Sequence, residues 1–164
     1  LLPAPQIVPM EAGTVSEQHE QERHEFFAWQ TIRIFAPAAL RAKKLTRMAR
    51  DLEASATLQD AVSIAYEISQ RLLRRKAGYG SDASEPTPVE LSVFAASRAA
   101  RCALHFGSMR HDFFKGATPM TPFTSCGEAA VTAVFQASRL GCTDIWLQAF
   151  ETLEGALSIG ELGG

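Results

Sequence analysis

Apolar residues recur every three or four positions over most of the chain, and no stretch alternates strictly in twos. That period predicts helices throughout. Ser16 or Thr14 can cap a first helix whose opening turns carry Glu17, Glu20, Glu22 and Glu25. Acidic side chains suit the positive end of a helix dipole. Phe26, Phe27, Trp29, Ile32 and Phe35 then form a broad apolar face. Pro37 lacks a backbone donor and crowds the preceding turn, so a break or kink is predicted near Phe35 and Ala36. A second segment runs from Pro37 to about Ala54, with Leu45, Met48, Ala49 and Leu52 as its seam.

Thr57 and Asp60 have the spacing of a capping box, and Ala61, Ala65, Ile68 and Leu72 follow at helical intervals. Arg74, Arg75 and Lys76 fall in the last turn, and Gly78 supplies the stop. Residues 78–87 read as a loop rich in glycine, proline and small polar side chains. Thr87, Pro88 and Glu90 open the most regular helix, with Leu91, Ala95, Ala99, Cys102, Phe106, Met109 and Phe113 along one side and Lys115 and Gly116 at its end. Ser125 and Glu128 form another capping-box pattern before a helix that Gly141 stops. Thr143 is placed to cap a final helix with the seam Trp146, Phe150, Leu153 and Leu157. So short a link predicts an antiparallel helical hairpin. The expected fold is all-α: one compact bundle of five to six helices over residues 17–164.

Residues 1–16 contain Pro3, Pro5, Pro9 and Gly13. Prolines at this density favour an extended arm over a helix. The arm also carries Leu1, Leu2, Ile7, Val8 and Met10, and is expected to lie against its own body or a neighbour. Composition supports a folded chain: 164 residues, 46% hydrophobic, 21% charged and a net charge of −2. That is enough for one core and excludes wholesale disorder. No apolar run is long enough for a transmembrane helix. Three cysteines are too few for a disulfide scaffold and point to an intracellular, reducing compartment. The cytoplasm fits, as does an organelle matrix after removal of a targeting segment.

The small net charge conceals segregation. Residues 1–25 carry one basic and five acidic side chains, residues 26–115 fourteen and eight, and residues 116–164 one and five. Arg33, Arg41, Lys43, Lys44, Arg47 and Arg50 follow one another with no acid between Phe26 and Arg50, and Arg71, Arg74, Arg75 and Lys76 form a second cluster. One reading is a face for nucleic acid or another polyanion. The other is complementary packing against the acidic ends of the chain, or a wetted surface. A pI near 6.1 argues against a dedicated nucleic-acid binder. Residues 52–73 have the spacing of a helix-turn-helix, but their basic residues lie at the C-terminal end of the second helix, where recognition helices seldom read bases.

Candidate chemistry is sparse. Ser125 as a cap would put Cys126 in a first helical turn, where the dipole favours thiolate. His105 or His111 could serve as its base, with Asp112 or Glu128 as orienter. Cys102 and His105 have ligand-like spacing, but structural zinc sites draw on more ligands in paired spacings. His19 and His24 lie five apart in a run that resembles the zinc-protease helix signature. That spacing turns them to different sides of a helix. No metal or cofactor is expected, and neither a phosphate loop nor a nucleophile elbow is present.

The leading expectation is a non-enzymatic helical interaction or assembly subunit, with a protein partner or a second copy of itself. The alternatives are polyanion binding through residues 33–76, above all Arg41, Lys43, Lys44, Arg47, Arg50, Arg74, Arg75 and Lys76, and a cysteine-dependent enzyme using Cys126.

Overall fold

The apolar periodicity is realised as helices. A computed structural model of the protein describes residues 17–78, 85–106 and 126–160, and every regular element among them is helical. In chain order these are α1 (Glu17–Gln30), a π-helical turn (Thr31–Phe35), α2 (Ala36–Ala42), α3 (Thr46–Glu53), α4 (Leu58–Gly78), α5 (Pro88–Leu104), α6 (Cys126–Arg139) and α7 (Ile145–Ser158). Since α1, the π turn and α2 form one rod, the described residues form six helices. The arm 1–16, residues 79–84 and the segment holding Met109, His111, Asp112, Phe113 and Ser125 lie outside the described residues.

Pro37 does not break the first rod. The backbone stays right-handed helical through Gln30, Phe35 and Ala36, and the Ala36 amide donates to the Thr31 carbonyl five residues back. In a regular α-helix the proline ring would strike the carbonyl of Arg33. One widened turn just before it makes room, so the chain absorbs the proline without a break. The wide turn is buried at Thr31, Ile32 and Phe35.

The break comes later instead. The segment expected to run from Pro37 to Ala54 divides at residues 43–45. Leu45 N donates to Leu40 O at 2.9 Å and Lys44 N to Arg41 O at 2.8 Å, while Lys44 sits at φ 60°. This is a Schellman stop with lysine where glycine is usual. The same pair of bonds closes α6, where Cys142 N donates to Ala137 O and Gly141 N to Ser138 O, with Gly141 at φ 91°. Sequence reading finds the second stop because glycine marks it, and misses the first.

Both described capping boxes form. Thr57 and Asp60 exchange side-chain to backbone bonds at 3.1 Å before α4. Thr87 and Glu90 do the same before α5, with Pro88 at its first position. Thr143 does not cap α7. Asp144 holds that place, without a side-chain bond. The start of α7 is tied to α6 by Trp146 Nε1 donating to Ser138 Oγ at 3.0 Å.

The middle of the bundle is α5, which packs on α4, α6, α1 and α2. Its buried face is mostly small: Ala95, Ala96, Ala99, Ala100 and Ala103, with Val89, Val93 and Cys102. Facing Ala61 and Ala65 of α4 and Ala129, Ala130 and Ala133 of α6 are equally small. Short side chains let helix axes approach closely. Bulk comes from Ile32, Phe35, Leu40, Leu52 and Ile68. This helix ends at Leu104, where His105 leaves helical geometry at φ −105°, ψ 14°, and the rest of the expected seam, Met109 and Phe113 with Lys115 and Gly116, lies outside the described residues.

The last helix turns the opposite way to expectation. Ile145, Thr152 and Ala156 are buried, with Ala149 and Gly155 half-buried. The expected seam faces outward, with Phe150 65% exposed and Trp146, Leu153 and Leu157 all above 40%. Two apolar stripes of the same period share this helix, offset by one residue, and the smaller one fits against the bundle.

Candidate functional site

Two surfaces stand out, one basic and one apolar. The basic one arises where α3 begins beside the end of α4. The Schellman stop at Lys44 reverses the chain into α3, whose N-cap Leu45 has no side chain able to bond the first-turn amides. The first amide of α3 to find a helical acceptor is that of Ala49, which donates to Leu45 O at 3.1 Å. Amides earlier in a helix have no intrahelical acceptor. Beside them runs the last part of α4 with Arg71, Arg74 and Arg75. Between the two lies a cleft of about 470 Å³ lined by Lys44, Leu45, Thr46, Arg47, Met48, Arg71, Arg74 and Arg75. Five lining residues are cationic and none is acidic.

The fold sorts the basic residues seen in sequence. Lys44, Arg47, Arg74 and Arg75 reach this cleft, and Arg71 joins them. Arg41 does not line it. Its guanidinium makes a two-pronged pair with Glu53, including Nη2 to Oε2 at 2.7 Å. That bond, ahead of a smaller opposing effect of burial, raises the Arg41 pKa and lowers that of Glu53. Lys76 is turned toward α5, donating to Glu85 O at 2.6 Å and pairing with Glu90 at 3.3 Å. Burial opposes ionisation of Glu90, but the Thr87 amide and hydroxyl and the Lys76 ammonium outweigh it, and its pKa falls. Arg33 lies over the Trp29 ring at 4.1 Å. Lys43 and Arg50 are exposed and line no part of the cleft.

Within the cleft the cations have weak partners. Arg71 is 3.9 Å from Glu67 on its own helix, and Arg74 Nε is 3.4 Å from Gln70 O. Lys44, Arg47 and Arg75 make no ion pair or side-chain hydrogen bond with the described residues.

The apolar surface lies on the far hairpin. Val131 and Phe135 of α6 and Trp146, Leu147, Phe150, Leu153 and Leu157 of α7 are all exposed. Between the helices a groove of about 320 Å³ opens onto Phe27 and Phe35, walled by Val131, Val134, Phe150 and Leu153. The outward seam of α7 was legible as a period, but not as a surface.

Cys126 sits in the first turn of α6, yet its environment opposes a thiolate. It is fully buried and its thiol donates to Ala99 O at 3.3 Å. Burial first, then proximity to Cys102, pushes its pKa up to about 12. Desolvation here outweighs the helix dipole on which the sequence argument for a lowered pKa rested. His105 is exposed at the end of α5, and His111 lies outside the described residues. Glu128 pairs with Arg98 at 3.3 Å. Cys102 is buried, and desolvation raises its pKa as well. His19 packs over Gly160, while His24 Nδ1 lies 2.7 Å from Glu20 O and its ring meets that of Phe106 in a tilted contact at 4.4 Å. Among the described residues no group of three His, Cys, Asp or Glu side chains is placed to hold a metal ion, and no helix is long and apolar enough to cross a membrane.

Compared with known proteins, the chain matches no family model, no curated sequence and no solved structure.

Proposed function

We propose that the protein is a helical interaction subunit that covers the outward faces of α6 and α7 with a partner protein. The observation that carries this reading is the orientation of α7. Trp146, Leu147, Phe150, Leu153 and Leu157 are all exposed, while Ile145, Thr152 and Ala156 pack inward. Contiguous exposed apolar surface of this kind marks interaction sites. Aromatic anchors beside a groove are the usual source of interface energy. Glu151 and Glu154 are the charged residues within α7, so the face carries little charge to desolvate.

The partner at hand is a second copy of the chain. Light scattering over a range of concentrations is expected to show reversible association, abolished by the double change Leu147→Glu and Phe150→Glu with the helical circular dichroism unchanged. A chain that stays monomeric throughout, and whose double variant binds no less of an apolar surface dye, overturns the reading.

A further inference from the structure

We propose that the cleft between the start of α3 and the end of α4 binds the clustered phosphate groups of a compact anionic ligand. The site goes beyond the apolar face, lies on other helices and can fail or stand independently of it. Its first support is charge convergence: Lys44, Arg47, Arg71, Arg74 and Arg75 come from two sequence clusters and meet in one concavity without a lining carboxylate. Three of them have no counter-charge or hydrogen-bond acceptor among the described residues. Lys43, Arg50 and Arg101 are unpaired among the described residues as well, so it is the meeting of five cations in one concavity, with Arg41 and Lys76 diverted to Glu53 and Glu90, that sets this place apart.

The second support is the backbone. The uncapped start of α3 puts unbonded amides and the positive end of a helix dipole in the same wall. Amides at a helix start together with guanidinium forks suit phosphoryl oxygens better than a single carboxylate, because several acceptors on one group can be met at once. The size, about 470 Å³, matches pockets for small molecules. The lining contains no aromatic side chain on which successive bases could stack, so an extended nucleic-acid strand is disfavoured. Leu45 and Met48 give the cleft an apolar patch for whatever carries the phosphates.

Titration calorimetry of the full chain with inorganic tripolyphosphate at low salt tests this. Saturable one-to-one binding is expected, weakening as salt rises. Arg47→Gln and Arg75→Gln should each weaken it roughly tenfold, the effect of losing one charge-assisted bond. Arg101→Gln, which removes an exposed charge from α5 outside the cleft, should change it less than about twofold. Melting curves of the same variants confirm that each is folded. Competition by vesicles carrying a phosphorylated inositol headgroup would place the phosphates on a lipid, and competition by a free nucleoside triphosphate would place them on a soluble ligand. Either keeps the proposal. No saturable binding, an Arg101→Gln loss equal to that of Arg47→Gln, or tight oligonucleotide binding that tripolyphosphate does not displace would overturn it.

Discussion

Arg23 of α1 holds the end of the chain's last helix, its Nη2 donating to the Ile159 carbonyl at 2.8 Å. Its Nε also donates to Ala156 O at 3.1 Å, and Glu20 balances the charge at 2.6 Å. A helix end leaves carbonyls without partners. Here a guanidinium from a residue more than a hundred positions away bonds the Ile159 carbonyl and adds a second donor at that of Ala156, which also accepts from Ile159 N at 3.3 Å, next to the negative end of the α7 dipole. Arg23→Ala is therefore expected to destabilise the fold by about 2 kcal/mol. Arg23→Lys should recover a fraction, because an ammonium cannot reproduce the two-pronged geometry. Urea unfolding followed by circular dichroism measures both.

The two stripes of α7 predict opposite responses to truncation. Ile145 is 3% exposed and belongs to the core. Ile145→Ala should cost about 3 kcal/mol. Phe150 is the larger side chain, but at 65% exposure its change to alanine should move stability by no more than about 0.5 kcal/mol. If Phe150→Ala proves the more damaging in the monomer, the assignment of the inner stripe is wrong.

Lys44 occupies a left-handed backbone position that disfavours side chains with a β-carbon. Lys44→Gly should stabilise the protein by about 1 kcal/mol. The same change removes a charge from the basic cleft. A variant that melts higher yet binds tripolyphosphate more weakly would separate the two roles of this residue, with differential scanning calorimetry and titration as the readouts.

Cys126 should set part of the alkaline limb of stability. Its pKa rises from the ordinary thiol value of 9.0 to about 12 in the folded chain. The native state therefore keeps a proton that the unfolded state releases. The associated stability is complete below pH 9, and is lost as pH climbs toward 12, at up to about 1.4 kcal/mol per pH unit. Cys126→Ala should flatten the curve in that window relative to the parent chain. Iodoacetamide at neutral pH should label half-buried Cys142 well before Cys126. Rapid labelling of Cys126 would contradict the buried, hydrogen-bonded thiol described above.

Much of the architecture was legible in local signals. The capping pairs Thr57 with Asp60 and Thr87 with Glu90 act over three residues, so composition and spacing suffice to find them. Gly141 announced its own turn. Lys44 did not, because nothing local in its sequence tells a left-handed lysine from a helical one. The Pro37 reading failed for a related reason. A proline forbids the regular turn, but whether the chain breaks or widens depends on what surrounds it, and here Thr31, Ile32 and Phe35 are buried in the bundle.

The candidate sites show the same division. Basic clusters around Lys44 and around Arg74 were evident along the chain, but their meeting at one cleft was not, nor the diversion of Arg41 to Glu53 and Lys76 to Glu90. A first-turn position for Cys126 was readable from its neighbours. Its burial beneath Ala99, which reverses the expected pKa shift, was not.

By itself the order of residues determined that the chain would be helical, where most helices begin, and that apolar stripes run along them, since these follow from hydrogen bonds and periodicities within a few turns. Tertiary packing alone decided which stripe of α7 faces inward, which cations remain unpaired and whether a thiol is solvated. Those outcomes depend on contacts between residues far apart in sequence, where shape complementarity and desolvation outweigh local preference.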